Sequence, residues 1–137
     1  MFGFIGKIFT KMMGGTRNDR LVRGRMKLVV EQINPLEDAI KALTEEQLLA
    51  QSLDLRERRM GGANRKAILP EAYALIREAS RRGRDHRQYD VQLVAGTVLD
   101  DGWIAEEATG EGKTIACYPA IYMAWLEGMH THVVTVN

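Results

Sequence analysis

At 137 residues the chain is one modest domain or a piece of a larger one. Its 45% hydrophobic share is ordinary for a globular fold and argues against disorder throughout. The single cysteine, Cys117, excludes an internal disulfide framework and a cysteine-paired metal site, and no apolar run reaches bilayer-spanning length.

The net charge of +1 conceals an uneven distribution. Residues 1–34 carry seven basic side chains (Lys7, Lys11, Arg17, Arg20, Arg23, Arg25 and Lys27) against Asp19 and Glu31. From Gln88 onward Lys113 alone faces seven carboxylates. The amino end therefore suits an anionic surface and the carboxyl end does not.

Phe2, Ile5, Ile8, Phe9, Met12 and Met13 recur at three- and four-residue steps, with Lys7 and Lys11 on another face. This pattern predicts a short amphipathic helix with two uses. It can lie on an anionic phospholipid surface, or pack its apolar face on its own domain or a dimer mate. The interrupting lysines and the lack of a small-residue cleavage site exclude a secretory signal.

After Gly14-Gly15 a second helix is expected from Asn18 or Asp19, with an apolar stripe through Val22, Met26, Val29, Val30 and Ile33 and an end at Pro35. Leu36, Ala39, Ile40 and Leu43 resume a helical pattern beyond the proline. Thr44-Glu45-Glu46-Gln47 reads as a capping box opening a helix that runs to about Met60, and Gly61 to Asn64 reads as a loop. Pro70 suits the first turn of the next helix, which turns Ala72, Leu75, Ile76 and Ala79 inward and ends at Ser80-Arg81-Arg82-Gly83. The arginines between positions 81 and 87 either complement that helix's C-terminal dipole or form an anion site. Tyr89 to Leu99 favours helix over strand.

Asp100-Asp101-Gly102 reads as a turn. Beyond it the pattern predicts a short strand at Trp103-Ile104-Ala105, a glycine-rich loop, a helix Lys113–Leu126 capped by Gly128, and a second strand at His132–Val136. This is a β–loop–α–β unit with a right-handed crossover. His130 and His132 would share one face of the second strand, but without a third ligand they do not make a metal site.

The chemistry sits in Ala108-Thr109-Gly110-Glu111-Gly112-Lys113-Thr114. Glycines let backbone N–H groups converge on a polyphosphate, and a following helix aims its positive end at the same anion. Lys113 would neutralise β- and γ-phosphate oxygens, and the Thr114 hydroxyl would ligate the accompanying Mg²⁺. Glu107 stands where the general pattern has its first glycine. A carboxylate there repels phosphate unless it points away or reaches the metal through water.

Four blocks in order carry a resemblance: Leu69-Pro70-Glu71-Ala72-Tyr73-Ala74 with Arg77-Glu78-Ala79; Tyr89-Asp90-Val91-Gln92-Leu93; Thr109-Gly110-Glu111-Gly112-Lys113-Thr114; and His132-Val133-Val134-Thr135-Val136-Asn137. Together they resemble the amino-terminal part of the SecA family, the ATPase motors of bacterial protein export, from about Arg17 to the last residue. The resemblance implies an α/β fold class: a helical amino-terminal region followed by the start of a helicase-like (RecA-like) phosphate-loop parallel-sheet domain, truncated. Residues 1–34 form the basic amphipathic segment and 35–137 an incomplete first nucleotide-binding domain.

By the same likeness the cofactors are ATP and Mg²⁺. Gln92 belongs to the motif that reads the adenine edge, and its amide offers the donor and acceptor that adenine requires. Arg87 lies beside the base. Thr109, Gly110, Glu111, Gly112, Lys113 and Thr114 cradle the phosphates, with Thr114 on the metal. Glu107 and Ala108 depart from the Met-Arg often found before this loop in the family. The implied partners are the Sec channel complex, unfolded preproteins, anionic phospholipid and a homodimer mate, with no nucleic acid. The implied location is the cytoplasm and the cytoplasmic face of the bacterial cell membrane. A phosphate-loop kinase is the weaker reading, since it has no use for Gln92 or the Val133–Asn137 block.

Hydrolysis needs a carboxylate to hold Mg²⁺ and polarise water, and a cation for the transferring phosphoryl group. After Lys113 the sequence offers Glu127 and no arginine, so no catalytic residue is identifiable. The expectation is a truncated motor without turnover of its own. The alternative is a non-catalytic stub that docks at the membrane or channel.

Overall fold

A computed structural model describes residues 16–108, 110 and 112–134. The expected helix over Phe2 to Met13 lies outside the described residues. Helix α1, Arg17–Leu28, starts on a capping box: Asp19 N–H donates to Thr16 Oγ1 (3.1 Å) and Thr16 N–H donates to Asp19 Oδ2 (2.7 Å). Pro35 does not end the helical path. It has no N–H to give, and the chain reaches it through a π turn, Val29–Ile33, closed by the Asn34 N–H on the Val29 carbonyl. A 3₁₀ turn, Asn34–Leu36, and the short α2, Glu37–Lys41, follow.

Helix α3, Glu45–Met60, carries the expected box, with Gln47 N–H on Thr44 Oγ1 (3.2 Å) and Thr44 N–H on Gln47 Oε1 (2.8 Å). Helix α4, Arg65–Arg84, begins five residues before Pro70 because the Asn64 side chain accepts from Lys66 N–H (2.9 Å). Pro70 therefore stands inside the helix. Its missing bond releases the carbonyl of Lys66, an exposed residue whose neighbourhood water can reach. At the other end Asp85, at φ 54°, makes the left-handed turn, and Gly83 stays helical. Ala72 and Leu75 are buried as expected, but Ala79 faces out while Tyr73, Arg77 and Glu78 face in.

Helix α5, Asp90–Asp100, confirms the helical reading of its segment. Helices α6, Lys113–Ala116, and α7, Tyr118–Leu126, replace the single expected helix. Pro119 cannot donate an N–H, and the break falls at Cys117. Gly128, at φ 72°, closes α7 as expected, with its own N–H on the Trp125 carbonyl and the Met129 N–H on the Ala124 carbonyl.

The two expected strands are a correction. Among the described residues none is in a strand: Trp103–Ala105 and His132–Val134 are irregular coil, and Thr135 and Val136 lie outside the described residues. Ile104 and Val134 are each 94% exposed. A parallel strand is stable only when neighbours satisfy both edges and cover both faces, and these two segments do not pair with each other. The core is built by helices instead. α5 packs on α7 and α1, and α4 packs on α3 and α7. Val29, Ile33, Leu55, Tyr73, Leu93, Met123 and Leu126 are fully buried among them. Truncating Leu126 or Leu93 to alanine there costs about 2–5 kcal/mol.

Candidate functional site

The glycine-rich segment joins α5 to α6 by way of the irregular stretch 103–108. Gly110 (φ 90°) and Gly112 (φ 83°) both occupy the left-handed region, which costs a side-chain-bearing residue about 1–2 kcal/mol. This is the physical reason glycine stands at both. Gly112 is the N-cap of α6, so the residues after it enter a helix directly. α6 is a single turn, and its dipole is correspondingly small until α7 extends it in sequence.

Lys113 is exposed and donates from Nζ to the Ala108 carbonyl at 2.8 Å, closing the segment on its own lysine. Thr114 is exposed, and its carbonyl accepts from Cys117 Sγ (2.9 Å). Thr109 and Glu111 lie outside the described residues. Glu107 stands close enough to Cys117 to help burial push the thiol's pKa up.

The structure brings Gln92 to this segment. Its Oε1 accepts from Tyr89 N–H at 3.0 Å, closing the first turn of α5, while its Nε2 faces the backbone of Gly112. A Cβ at position 112 would lie 2.5 Å from that nitrogen. Two residues twenty positions apart, marked by separate sequence motifs, therefore meet. Gln92 also borders a cleft of about 650 Å³ between α1 and residues 103–107.

Arg87 is anchored by Glu37. Its Nε and Nη2 both reach the Glu37 carboxylate at 2.6 Å, a bidentate pair. Arg87 is the largest cause holding the Glu37 carboxyl down to about 2, with Lys41 and Arg77 adding to it. Two further arginines of the cluster, Arg81 and Arg82, share the Glu78 carboxylate (2.6 and 2.7 Å). Arg81, Arg82 and Arg84 stand in the last turn of α4, where they complement its dipole.

Sequence reasoning missed the residue that sets the entry to α5. Arg77 is 2% exposed, and its guanidinium donates to the Gln88 carbonyl (2.8 Å), Asn34 Oδ1 (2.6 Å) and Asp90 Oδ1 (2.6 Å). It fixes Asp90, the first residue of α5, and hence the turn from which Gln92 projects. The available signal was an arginine on the buried face of α4, four residues after Tyr73. At the far end of α5, Arg65 binds Asp100 and Glu127, Arg59 also binds Glu127, and Arg25 spans the Thr97 carbonyl and Asp101. Burial lifts the Asp100 carboxyl to about 6, outweighing Arg65. Among the described residues no cluster of three His, Cys, Asp or Glu could hold a metal, and no helix is long and apolar enough to cross a membrane.

Residues 9–137 match the family model described as SecA DEAD-like domain. Proteins called protein translocase subunit SecA from two strains of Acidithiobacillus ferrooxidans are each 46% identical to this chain over 137 residues. The alignment covers 100% of the chain but 14% of each relative.

Proposed function

The chain belongs to the SecA DEAD-like domain family, and from that premise we propose that it is the ATP-binding part of a protein-translocating motor. The motor would couple ATP hydrolysis to passage of unfolded preproteins through the Sec channel of the bacterial cytoplasmic membrane. It would work from the cytoplasm and the membrane's cytoplasmic face, with anionic phospholipid and a second copy as further partners. Nucleic acid is not among them.

The juxtaposition of Gln92 with Gly112 carries the nucleotide reading, because it sets a base-reading amide beside a phosphate-cradling turn. The donor set fits a nucleotide. Lys113 now gives its ammonium to one exposed, neutral carbonyl, whereas phosphate oxygens carry full negative charge and add Coulomb attraction to the hydrogen bond. Exchange of Ala108 for β- and γ-phosphate oxygens is therefore downhill. Thr114 offers an exposed hydroxyl for Mg²⁺, which would neutralise phosphate charge. The backbone N–H groups of Gly110 and Gly112, with Thr109 and Glu111, would line the phosphates. Arg87, anchored through Glu37, would present its guanidinium beside the base.

Turnover needs more than these residues. The carboxylate after Lys113, Glu127, is already shared by Arg59 and Arg65. That observation favours the second reading, a docking module that binds without turnover, for these 137 residues taken alone. In a longer protein containing the segment, Lys113→Ala should lower ATP affinity at least about ten-fold, or about 1.4 kcal/mol, and abolish turnover while leaving liposome binding intact. Unchanged ATP affinity would overturn the phosphate site.

A further inference from the structure

Asn34, Arg77 and Asp90 close a triangle in which each side chain bonds the other two. Arg77 donates to Asn34 Oδ1 and to Asp90 Oδ1 (each 2.6 Å), and Asn34 Nδ2 donates to Asp90 Oδ2 (3.1 Å). The three stand on different elements: the 3₁₀ turn, α4 and α5. A guanidinium only donates and an ionised carboxylate only accepts, so one orientation of the Asn34 amide serves both. Burial opposes the charge on Asp90, but Arg77 and Asn34 outweigh it and hold the carboxyl below its ordinary value. The π turn aims Asn34 at this junction. Its wide bond, Asn34 N–H on the Val29 carbonyl, takes in one residue more than an α turn, and each residue is worth about 100° of rotation about a helix axis.

We infer that Asn34 is a positioning residue for the nucleotide: its amide joins Arg77 to Asp90 and so fixes the turn that presents Gln92 to the base. The inference rests on the nucleotide reading above and adds to it a residue from a separate element, far upstream of the loop. Asp90 opens α5 and Tyr89 caps it. Gln92 closes that turn, donating its N–H to the Tyr89 carbonyl (2.9 Å) and accepting the Tyr89 N–H on Oε1 (3.0 Å). Its Nε2 is thereby set against Gly112. Without the Asn34 amide, Asp90 keeps only its bond to Arg77 and can swing about it. The far end of α5 is held independently, by Arg25 on the Thr97 carbonyl and Asp101 and by Arg65 on Asp100. Loosening at Asn34 is therefore confined to the turn that carries Gln92.

The test exchanges the two members of the amide–carboxylate bond. Asn34→Asp keeps an acceptor for Arg77 but sets two carboxylates face to face. In a longer protein containing the segment, this variant should bind ATP about ten-fold more weakly and GTP little changed, because adenine alone uses the Gln92 amide as it is now held. Asp90→Asn should act in the same direction, since it leaves two amides competing for one donor–acceptor arrangement. Together the two substitutions restore every bond of the triangle with donor and acceptor reversed and the net charge unchanged. ATP affinity and the preference for ATP over GTP should then return to within about three-fold of the parent, the residue being the lost carboxylate at the α5 N-terminus.

Amide hydrogen exchange without nucleotide gives a second readout. The Tyr89 N–H, held by Gln92 Oε1, should exchange faster in each single variant than the amides of α7 do, and should recover in the double variant. A merely structural role predicts otherwise: ATP and GTP affinity fall by the same factor, and exchange rises alike in α4, α5 and α7. Either result overturns the inference, as does a double variant no better than the single ones, while the phosphate site stands if Lys113→Ala still weakens ATP. Unchanged ATP affinity in Lys113→Ala is the separate failure of the nucleotide reading, and the positioning role falls with it.

Discussion

The backbone of Gly112 lies against the side-chain amide of Gln92, so close that a methyl group at position 112 would overlap the Gln92 Nε2. Two penalties therefore meet in Gly112→Ala: a left-handed backbone, costing about 1–2 kcal/mol, and the collision itself. ATP affinity should fall at least about ten-fold. The double variant with Gln92→Ala removes the collision but not the backbone strain, so the two losses should not add. Equilibrium nucleotide binding across the four proteins of the cycle measures this, and strict additivity would show that the contact does not matter.

Arg77 joins the buried carbonyl of Gln88 to the half-buried side chains of Asn34 and Asp90. Arg77→Ala should destabilise the fold by about 1–3 kcal/mol, because the carbonyl of fully buried Gln88 loses its donor, while half-buried Asp90 keeps its bond from Asn34 Nδ2 and can turn to water. Arg77→Lys should recover little, since an ammonium cannot reproduce the planar fork. Urea unfolding supplies the numbers. A loss under 1 kcal/mol (about the worth of a surface pair) would mean the network is solvated.

Glu37 gives a pH signature of one sign. Arg87 first, then Lys41 and Arg77, hold its carboxyl near 2, against an ordinary value of 4.5. A depressed carboxylate contributes stability that is complete above its unfolded value and lost as pH falls through its folded value. Glu37→Gln should be clearly less stable than the parent chain above pH 4.5, with the gap closing toward pH 2. A gap constant across that window would count against the pair.

Asp100 gives the opposite sign. Burial raises its carboxyl from 3.8 to about 6 despite Arg65. Its folded form takes up a proton more readily than its unfolded form, so this contribution is complete below 3.8 and lost as pH rises through 6. Asp100→Asn should gain on the parent chain across that interval and flatten the profile, since the Asp100 carbonyl and Glu127 still hold Arg65. Denaturant midpoints at several pH values test it, and a parallel pair of profiles would refute it.

Much of the helical layout was legible because its signals are local. The Thr44–Gln47 box, the stop near Met60 and the Gly128 cap each depend on residues within one turn. Pro35, Pro70 and Pro119 were harder to read. Proline removes one donor, and whether the chain stops, widens or runs on depends on what packs around it. Here the outcomes were a π turn, an uninterrupted helix and a break at Cys117.

The glycine loop, Lys113 and Gln92 could be named from sequence because their chemistry is written in residue type and spacing. Their meeting could not, nor could the capture of Arg87 by Glu37, fifty residues away. The strands show the same division. Val133 and Ile104 carry strand character in their side chains, but a parallel strand exists only through hydrogen bonds to other segments. Sequence alone fixed which residues can cap, turn and meet a phosphate, since those properties are covalent and local. Tertiary structure decided which carboxylate each arginine holds, which side of α4 is buried and where the irregular segments lie, since burial and pairing belong to neighbours brought together only by folding.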